Sequence, residues 1–445
     1  MTYEEAMQKI SSLLRFGMKP GLERIEKLLA LLGNPQNKLR FVHVAGTNGK
    51  GSTCALIASV LTRAGYVTGR YTSPFVVEFC ERMQVDGEMI PHEDLVRLVE
   101  QTFPLVEQMA QQGEEITEFE FITALAFQWF AEQKCDIVVL EVGLGGRLDA
   151  TNVITSPIVT VITSISLDHT AILGDTVEQI AYEKAGIIKE YGVTISSPNQ
   201  PEGALKVISD VAFQRHNKFI VADIEAIHPM NMGIGGTMLA YNGAFLQLPL
   251  LGKHQLSNAI TALTVFKVLN TKGFRISKRN VSIGFKKARM PARLEVLSAS
   301  PLVILDGAHN PGGTQALAEA IQVYCKGKKV TGVMGMLADK DVDTAIQNLN
   351  GLFSRVVTLT PSNPRAMPAE ELAEKWKEAG APAVAMQDGR EALREVFATL
   401  DPHSAAVICG SLYLAGDLRP AALELLAPEK AGTPEKESRA KKSSL

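Results

Sequence analysis

Residues 41–52 read FVHVAGTNGKGS, and this stretch decides how the rest of the chain is arranged. Its first five residues form an apolar run typical of a buried strand, and Ser52–Ala64 repeats apolar residues at helical spacing before a stop at Gly65. A glycine-rich turn between a strand and a helix is the context that a phosphate-binding loop requires. Its backbone N–H groups turn inward, and the N-terminus of the helix adds partial positive charge. We therefore predict that a nucleotide's phosphates bind at Asn48, Gly49, Lys50, Gly51 and Ser52.

The loop departs from the strict phosphate-loop pattern G-x-x-x-x-G-K-[ST] at two positions. Val44 stands where the first glycine belongs, Gly51 stands where the hydroxyl belongs, and Ser52 follows one place late. The alternative is a glycine-rich turn that binds no ligand. In that case Lys50 would face the positive end of a helix, which costs up to about 1 kcal/mol. The pattern and its context together favour nucleotide binding.

Apolar runs recur along the chain at intervals that predict strands separated by helices. They are Phe41–Ala45, Val67–Tyr71, Ile137–Glu141 and Ile158–Ile162 in the first part, and Leu302–Leu305, Val330–Met334, Val356–Thr360, Ala383–Ala385 and Ala405–Ile408 in the last part. This alternation is typical of an α/β fold with mainly parallel sheets covered by helices on both faces. Between the two series, a glycine-rich stretch from about Gly233 to Gln255 predicts a small antiparallel β excursion.

The same pattern divides the chain into two predicted domains and a tail. Residues 1–293 would form the domain with the phosphate loop, and residues 294–425 a smaller, doubly wound domain. Residues 426–445 are polar and charged with almost nothing to bury, which predicts disorder. A length of 445 residues suits two or three domains of roughly 150 residues each.

Overall composition argues against several classes of partner. The formal net charge is −3 with no long basic block, which disfavours nucleic acid or an anionic membrane as the main partner. No uncharged apolar run approaches the roughly 20 residues that span a bilayer, and the acidic, amphipathic start MTYEEAMQKI is unlike a secretory signal. Five scattered cysteines without paired metal-ligand spacing predict buried thiols in a reducing compartment. We therefore expect a cytoplasmic protein.

Three predicted strand ends place polar side chains at one edge of the first sheet. In an open parallel sheet, ligands bind beyond the carboxyl ends of the strands, so Ser73, Glu141 and His169 should share the edge that carries the phosphate loop. Magnesium prefers oxygen ligands and keeps several waters. A Ser-Pro pair is by itself typical of a turn, and a lone histidine is usually a hydrogen-bonded loop residue. Glu141 is the stronger candidate, because a carboxylate that ends an apolar strand is costly unless it is paired or bound to a metal.

Nine segments of the chain resemble the folylpolyglutamate synthase family, and the bacterial enzymes that also act as dihydrofolate synthase are the most similar. The segments are GTNGKGS, YTSP, LEVGLGGRLDATN, LDHTAILG, EKAGI, GKHQLSNA, MPARLE, LDGAHNPGG and GSLYLAG. The resemblance extends over about residues 1–420. It implies the fold of the Mur-type ligase superfamily, in which an ATPase domain precedes a smaller Rossmann-like domain and the active site lies between them.

The resemblance also implies roles for individual positions. It implies catalytic roles for Lys50, Glu141, His169 and Lys184, and magnesium ligation by Ser73, Glu141 and His169. The implied ATP contacts are Gly49, Lys50, Gly51, Ser52, Asn258, Arg293 and Asp306. The implied pterin site contains Thr117, Glu118, Phe119, Glu120, Leu148, Asp149 and Ala150, and the incoming glutamate would lie near His309 and Ser411. Two positions depart from the family pattern. Phe75 stands where histidine is frequent, which bears on the folate contact of its loop, and Ala292 replaces a common glycine, which we expect to change little.

Lys184 receives two different interpretations. It lies in the last turn of a helix predicted over Val177–Ala185, after the N-cap candidates Asp175 and Thr176. From this pattern alone it is typical of a solvated lysine that stabilises the helix dipole. The resemblance implies instead a carbamylated lysine, whose negative charge supports a second magnesium ion.

The reaction that we expect is ATP-dependent formation of an amide bond. Transfer of the γ-phosphoryl group to a carboxylate makes an acyl phosphate, which the amino group of L-glutamate attacks. The acid would be dihydropteroate, a reduced folate, or both, with ATP as co-substrate, two Mg²⁺ ions and a monomeric chain. One alternative is a peptidoglycan-precursor ligase of the same superfamily, which would need a nucleotide-sugar domain ahead of Gly46. The other is a non-catalytic nucleotide-binding switch.

Overall fold

The computed structural model of the protein describes residues 1–17 and 20–427. Its first sheet contains β1 (Phe41–Ala45), β2 (Thr68–Tyr71), β3 (Met83–Val85), β4 (Glu88–Met89), β5 (Ile137–Glu141), β6 (Val159–Ile162), β7 (Val193–Ser196) and β8 (Lys218–Val221). The strand order is β4-β3-β2-β5-β1-β6-β7-β8. Strands β2, β5, β1, β6, β7 and β8 are parallel, while β3 and β4 add an antiparallel edge. The predicted mainly parallel sheet is confirmed, although β2 and β6 each begin one residue later than predicted.

Helices cover both faces of this sheet. They are α1 (Tyr3–Ser12), α2 (Glu23–Leu31), α3 (Lys50–Arg63), α4 (His92–Gln111), α5 (Glu118–Glu132), α6 (Thr170–Leu173), α7 (Val177–Ala185), α8 (Glu202–Gln214), α9 (His254–Thr271) and α10 (Lys278–Lys287). Neighbouring side chains of a strand point to opposite faces. In β5, Val138 and Leu140 therefore pack with α1, α2, α4 and α5, whereas Val139 packs with α3, α9 and α10. Helix α7 has the predicted bounds, and the Thr176 side chain caps it by accepting a hydrogen bond from the backbone of Gln179.

The predicted β excursion is present but has different limits. A three-stranded antiparallel sheet is built from β9 (Ile227–Gly233), β10 (Gly236–Tyr241) and β11 (Ala244–Leu248). The prediction of Gly233 to Gln255 was therefore late at both ends, since Gln255 lies inside α9. The first strand gives a weak sequence signal because it contains Pro229, which lacks an N–H donor, and a register shift at Met238/Leu239 of β10 accommodates it.

The second α/β unit has its own sheet. The strands are β12 (Glu295–Ala299), β13 (Leu302–Leu305), β14 (Lys329–Met334), β15 (Arg355–Thr358), β16 (Ala383–Ala385) and β17 (Ser404–Cys409), and the helices are α11 (Pro311–Tyr324), α12 (Val342–Leu349), α13 (Ala369–Glu378), α14 (Gly389–Ala398) and α15 (Leu412–Leu426). The order is β12-β13-β17-β14-β15-β16, and only β12 is antiparallel to its neighbour among these six strands. The predicted doubly wound arrangement is confirmed, and β12 is an edge strand that the sequence did not predict.

The predicted domain boundary falls between two elements, and the last helix extends slightly into the predicted tail. The boundary between 293 and 294 remains a prediction; it falls between α10 and β12. Helix α15 continues through Leu426, one residue into the predicted tail, and residues 428–445 lie outside the described residues. All five cysteines are buried, as predicted. None of the helices in the described part of the chain combines the length and apolar character needed to cross a membrane.

Candidate active site

The predicted phosphate loop connects β1 to α3, and Lys50 is the first residue of the helix. Gly49 caps the helix with φ = 87°, a left-handed conformation that glycine adopts without strain. A side chain at Gly46 would collide with Thr163, so the turn also needs glycine there for close approach. The Lys50 Nζ donates hydrogen bonds to the carbonyl oxygens of Gly46 and Thr47, both at 3.1 Å. The lysine therefore lies folded over the loop, directly beside the space where phosphates would bind.

Gly51, one of the two departures from the strict phosphate-loop pattern, lies close to Met290 and Glu141. A Cβ at this position would lie 2.7 Å from Met290 Cε and 3.6 Å from the Glu141 Oε2 atom. A hydroxyl residue there would require the flexible end of Met290, which lies in the segment before β12, to shift. Ser52 is buried, and its Oγ accepts a hydrogen bond from Gln255 Nε2 at 3.2 Å.

Glu141 ends β5 beside the phosphate loop and has the environment predicted for a metal-binding carboxylate. Its side chain is buried, and its Oε2 has no hydrogen-bond partner. Burial raises the pKa of Glu141 to about 7, opposed by Lys50, Arg293 and the backbone N–H of Ser73. A buried carboxylate oxygen without a donor is costly, and a divalent cation removes that cost. The residue therefore fits the magnesium ion that the sequence predicts.

Ser73 and His169 lie at the same edge, as predicted. Ser73 follows β2 and approaches Glu141 closely enough for its backbone to favour the ionised carboxylate. His169 precedes the short helix α6 with φ = 51°. Desolvation, Lys50 and Lys184 lower the pKa of His169, whereas Asp168 opposes the shift. A neutral imidazole is the form that binds metals, so the lowered pKa of His169 is compatible with its predicted role as a ligand.

Lys184 is buried, so its interpretation as a solvated helix-end lysine is wrong. Only 4% of the residue is exposed, and its Nζ donates to the Gly46 carbonyl oxygen at 2.9 Å. Burial and then the nearby Lys50 ammonium lower the pKa of Lys184 to about 7. A substantial fraction of the amine is therefore neutral at physiological pH and nucleophilic. This is the form that reacts with carbon dioxide to make a carbamate.

Asp168 of the first α/β unit contacts side chains of the second unit. Its carboxylate accepts hydrogen bonds from Lys340 Nζ at 2.9 Å and from Asn310 Nδ2 at 2.8 Å, both in the second unit. Asn310 also donates to Asn48 of the phosphate loop at 3.2 Å. Burial raises the pKa of Asp168, but His169, Lys340 and Asn310 outweigh it and hold the pKa well below its usual value. The phosphate loop is thus joined to the second unit through polar side chains.

Sequence reasoning missed these residues for different reasons. Asp168 and Asn310 lie within segments that carried the family resemblance, LDHTAILG and LDGAHNPGG, but no chemical role was assigned to them. Lys340 lies in the loop after β14, where an isolated lysine is indistinguishable from a surface residue. Only the packing of the two units brings it next to Asp168, and both side chains are then 11% exposed.

A Lys340→Met variant tests this contact. We expect a lower melting temperature, because Asp168 would remain largely buried without its cation. Removing one side of a buried ion pair costs about 3–5 kcal/mol, and the remaining Asn310 bond should reduce the loss to about 2 kcal/mol. The measurement is thermal unfolding without ligands, on Lys340→Met, Asp168→Asn and the double variant. A loss in the double variant equal to the sum of the single losses would mean that the pair does not interact.

Three further predicted ATP contacts surround the loop. Asn258 on α9 lies so close that a side chain at Gly49 would collide with its amide. Asp306, after β13, accepts hydrogen bonds from the backbone N–H groups of Leu294 at 2.7 Å and Ala308 at 2.8 Å. Burial raises the pKa of Asp306, and Arg293 opposes the shift. The Asp306 carboxylate therefore joins the backbone before β12 to the backbone after β13, and it interacts electrostatically with Arg293.

Ala292 matters more than the sequence suggested. It has φ = 52°, a left-handed conformation in which an alanine is strained by about 1–2 kcal/mol and a glycine is not. Its N–H donates to Glu295 Oε2 at 3.0 Å, and its carbonyl accepts from the Gly307 backbone at 2.8 Å. Backbone hydrogen bonds therefore hold this turn although the conformation of its residue is strained.

Several residues of the predicted pterin site have structural partners of their own. Glu120 accepts hydrogen bonds from the Thr117 backbone and hydroxyl, both at 2.8 Å, and forms an ion pair with Arg24 at 2.9 Å. Asp149 accepts from the Thr151 hydroxyl at 2.6 Å and from the Leu144 backbone at 2.9 Å. These carboxylates fix the start of α5 and the loop after β5. They shape the walls of the predicted site from within the protein.

Other members of the predicted pterin site lie at the start of α5 and in the loop after β5. The Phe119 ring borders the loop after β5, since a Cβ at Gly143 would lie 2.5 Å from its Cζ. Leu148 and Ala150 flank Asp149 in the continuation of that loop. Burial raises the pKa of Glu118, and Arg82 opposes the shift. Phe75, the departure noted above, turns its ring toward the apolar core and lies 5.3 Å from the Arg82 guanidinium. Phe75 therefore places an aromatic ring beside a cationic side chain in this loop.

The two residues predicted near the incoming glutamate lie in the second unit. His309 Nδ1 bonds the Gly307 carbonyl at 2.8 Å, and desolvation lowers the pKa of His309 to about 4. Ser411 caps α15, where its Oγ accepts from the backbone N–H groups of Tyr413 at 3.0 Å and Leu414 at 3.2 Å. A side chain at Gly307 would collide with Leu412, so the two segments are neighbours.

Comparison with known proteins accounts for this arrangement. The Mur ligase middle domain matches residues 44–266, and the Mur ligase glutamate ligase domain matches residues 292–412. The chain is 38% identical to the dihydrofolate synthase/folylpolyglutamate synthase of Bacillus subtilis over 94% of its length and 98% of the relative. It belongs to the folylpolyglutamate synthase family of Mur ligases. A folylpolyglutamate synthase of Lacticaseibacillus casei is 37% identical over 94% of this chain and 98% of its own.

Solved structures of the folylpolyglutamate synthase family share the fold throughout. The Mycobacterium tuberculosis enzyme complexed with ADP has a TM-score of 0.84 at 32% identity, covering 94% of this chain and 98% of that one. An Escherichia coli relative in complex with DHPP and ADP has a TM-score of 0.81 at 30% identity, covering 93% and 97%. The α/β architecture with a phosphate-loop unit and a second, smaller unit is therefore that of the folylpolyglutamate synthase family.

Proposed function

We propose that the protein is an ATP-dependent ligase that adds L-glutamate to dihydropteroate, to the glutamate tail of reduced folates, or to both. The observation that carries the proposal is the buried carboxylate of Glu141, whose Oε2 lacks a hydrogen-bond donor, beside a loop formed for phosphates. The relatives with both activities, and the relative in complex with DHPP and ADP, support this choice of substrates.

The nucleotide would bind between the two units. Lys50 and the backbone of Asn48–Ser52 would hold the phosphates, and Asn258, Arg293 and Asp306 would contact the rest of the ATP molecule. Ser73, Glu141 and His169 fit a magnesium ion, which would neutralise charge on the phosphates when bound. Lys184 would support a second ion after carbamylation. Asn48 has a further role, since its bond to Asn310 couples the loop to the second unit.

Chemistry at this site follows from the weakness of a carboxylate as an electrophile. A carboxylate oxygen of the folate substrate forms a bond to the γ-phosphorus of ATP while the bond to the ADP oxygen breaks. The glutamate amine then attacks the carbonyl carbon, and phosphate leaves from the tetrahedral species. Lys50 stabilises the charge on the transferring group. The contacts of Asp168 with Asn310 and Lys340 hold the second unit over the site, which excludes the water that would hydrolyse the acyl phosphate.

The two substrates would enter from different sides. The pterin-bearing acid would lie against Phe119 and Glu118 at the start of α5 and against the loop that contains Asp149, with Thr117, Glu120, Leu148 and Ala150 shaping that wall. Glutamate would bind on the second unit near His309 and Ser411. We expect the enzyme to work in the cytoplasm as a monomer. Gel filtration at micromolar concentration tests whether it is monomeric.

A phosphate-release assay distinguishes this function from its alternatives. With ATP, magnesium and glutamate, release should depend on dihydropteroate or tetrahydrofolate, and comparison of the two acids shows which activities are present. A nucleotide-binding switch would release phosphate slowly and independently of both substrates. A peptidoglycan-precursor ligase would respond to a nucleotide-sugar acceptor and to neither pterin compound. Absence of turnover with every pterin-bearing acid would refute the proposal.

The environment of Lys184 predicts a carbamate that can be observed directly. In ¹³C-bicarbonate buffer we expect one carbamate signal by NMR, absent from Lys184→Ala. That variant should lose at least about 100-fold in turnover, the loss typical of a missing electrostatic group. Short carboxylic acids that fill the space left by the lysine side chain should restore part of the turnover. Lys206→Ala, at an exposed lysine on α8 paired with Asp210, is the control and should keep both signal and turnover.

A further inference from the structure

A second group of metal-ligating side chains lies outside the active site, where the loop after Ser73 meets α4. It consists of Glu78, Cys80 and His92, whose ligand atoms lie within 4.8 Å of one another. Glu78 precedes a 3-10 helix (Phe79–Arg82) that carries Cys80, and His92 is the first residue of α4. The ligands come from two backbone segments, the turn at residues 78–80 and the start of α4.

The cluster is already oriented for a shared ligand. The His92 ring stacks on Tyr3 of α1 with centroids 3.8 Å apart, and its Nε2 bonds the Glu78 carboxylate at 2.7 Å. The Tyr3 hydroxyl lies 3.8 Å from Cys80 Sγ. Cys80 is buried, whereas the Glu78 and His92 side chains are 43% and 52% exposed. The thiol thus forms the floor of a site that is open to solvent on one side.

The mixture of donor atoms selects the kind of ion. Sulfur, imidazole nitrogen and carboxylate oxygen are the three ligand types of zinc, and three protein ligands leave a fourth position for water. Magnesium prefers an all-oxygen octahedron and competes poorly for such a set. The bond between Glu78 and His92 is, without an ion, a surface pair worth at most about 1 kcal/mol. We propose that Glu78, Cys80 and His92 bind one Zn²⁺ ion with a water as fourth ligand.

Zinc at this position would stabilise the loop that leads out of the active site. The neighbouring Glu81 accepts hydrogen bonds from the backbone of Val76 at 2.8 Å and Val77 at 2.9 Å, and Val76 packs against Gly416 of α15. Fixing residues 78–80 to α4 therefore also restrains the contact between this loop and the second unit.

Metal binding to the full chain tests the proposal without reference to turnover. After chelation and dialysis, Co²⁺ is added in excess Mg²⁺, and a thiolate-to-cobalt charge-transfer band should appear with one ion per chain. Zn²⁺ should displace the Co²⁺ ion, which removes the band, and should raise the melting temperature of the protein. Cys80→Ser should abolish the band and weaken zinc binding at least about 10-fold, the loss that even an outer-shell partner can cause.

Two variants separate ligand loss from misfolding. His92→Phe keeps an aromatic ring stacked on Tyr3 but removes the nitrogen ligand, so it should remain folded and lose zinc. Cys135→Ser changes another buried thiol, outside the cluster, and should keep the band. Absence of a charge-transfer band in the unmodified chain would overturn the proposal. So would zinc binding that persists in Cys80→Ser and disappears in Glu141→Gln, because the ion would then occupy the phosphate-loop site.

Discussion

A Lys50→Ala variant should lose at least about 100-fold of glutamate-dependent ATP turnover while keeping its fold. Lys50 belongs to the predicted phosphate loop, and its Nζ is held over the loop by the Gly46 and Thr47 carbonyl oxygens. Phosphate release measures the loss, and calorimetric titration with ADP should show weaker binding. A thermal unfolding curve close to that of the unmodified protein establishes that the variant is folded.

A second effect of this substitution can be checked in the same sample. Lys50 is one of the groups that lower the pKa of Lys184. In Lys50→Ala the pKa of Lys184 should therefore rise, and its carbamate signal should weaken at neutral pH. Near-normal turnover in the variant would remove the assignment of the phosphate loop, whatever happens at Lys184.

A Glu141→Gln variant should affect activity and stability in opposite directions. Turnover should fall at least about 100-fold, since the amide is a poor ligand for magnesium. In metal-free protein the stability should rise, because the raised pKa of Glu141 means that ionising this buried group opposes folding. Below the unfolded value near 4.5 the two proteins should be equally stable. As the pH rises through about 7, the unmodified protein should lose up to about 3 kcal/mol relative to the variant.

Thermal unfolding of both proteins between pH 5 and pH 8, with and without magnesium, is the measurement. Magnesium should stabilise the unmodified chain and leave the variant unchanged, because binding to the folded state alone raises stability. The same melting temperature difference at all pH values would contradict the raised pKa of Glu141, and equal stabilisation of both proteins by magnesium would show that Glu141 is not the metal-binding carboxylate.

The sequence predicted those parts of the site that depend on local pattern. The run Phe41–Ala45 and the glycines after it predicted strand, loop and helix correctly, because each obeys a short-range rule. The edge shared by Ser73, Glu141 and His169 followed from the parallel sheet. The alternation of the second series also predicted its sheet, although Pro229 obscured β9 and the edge strand β12 was missed.

Burial and contacts between distant segments could not be predicted in this way. Lys184 has the sequence context of a solvated lysine, and only the packing of α7 under the phosphate loop shows that it is buried. The meeting of Asp168 with Lys340 joins residues 172 positions apart. The family resemblance supplied the role of Lys184 but said nothing about Lys340. Long-range placement is set by the fold as a whole and not by any local period.

The polar contacts between the two units around Asp168, here called the polar seam, affect the free energy of separating the units at the end of a catalytic cycle. Asn48, Asn310 and Lys340 are all groups that water solvates well, so parting the two halves exchanges protein hydrogen bonds for bonds to solvent. Exchange of the neutral bond between Asn48 and Asn310 changes the free energy by only about 1 kcal/mol, and loss of the Lys340 contact costs about 2 kcal/mol. An apolar seam would expose hydrocarbon at every opening and slow the departure of ADP. A hydrophilic one lets product escape after every turnover while both cores stay intact.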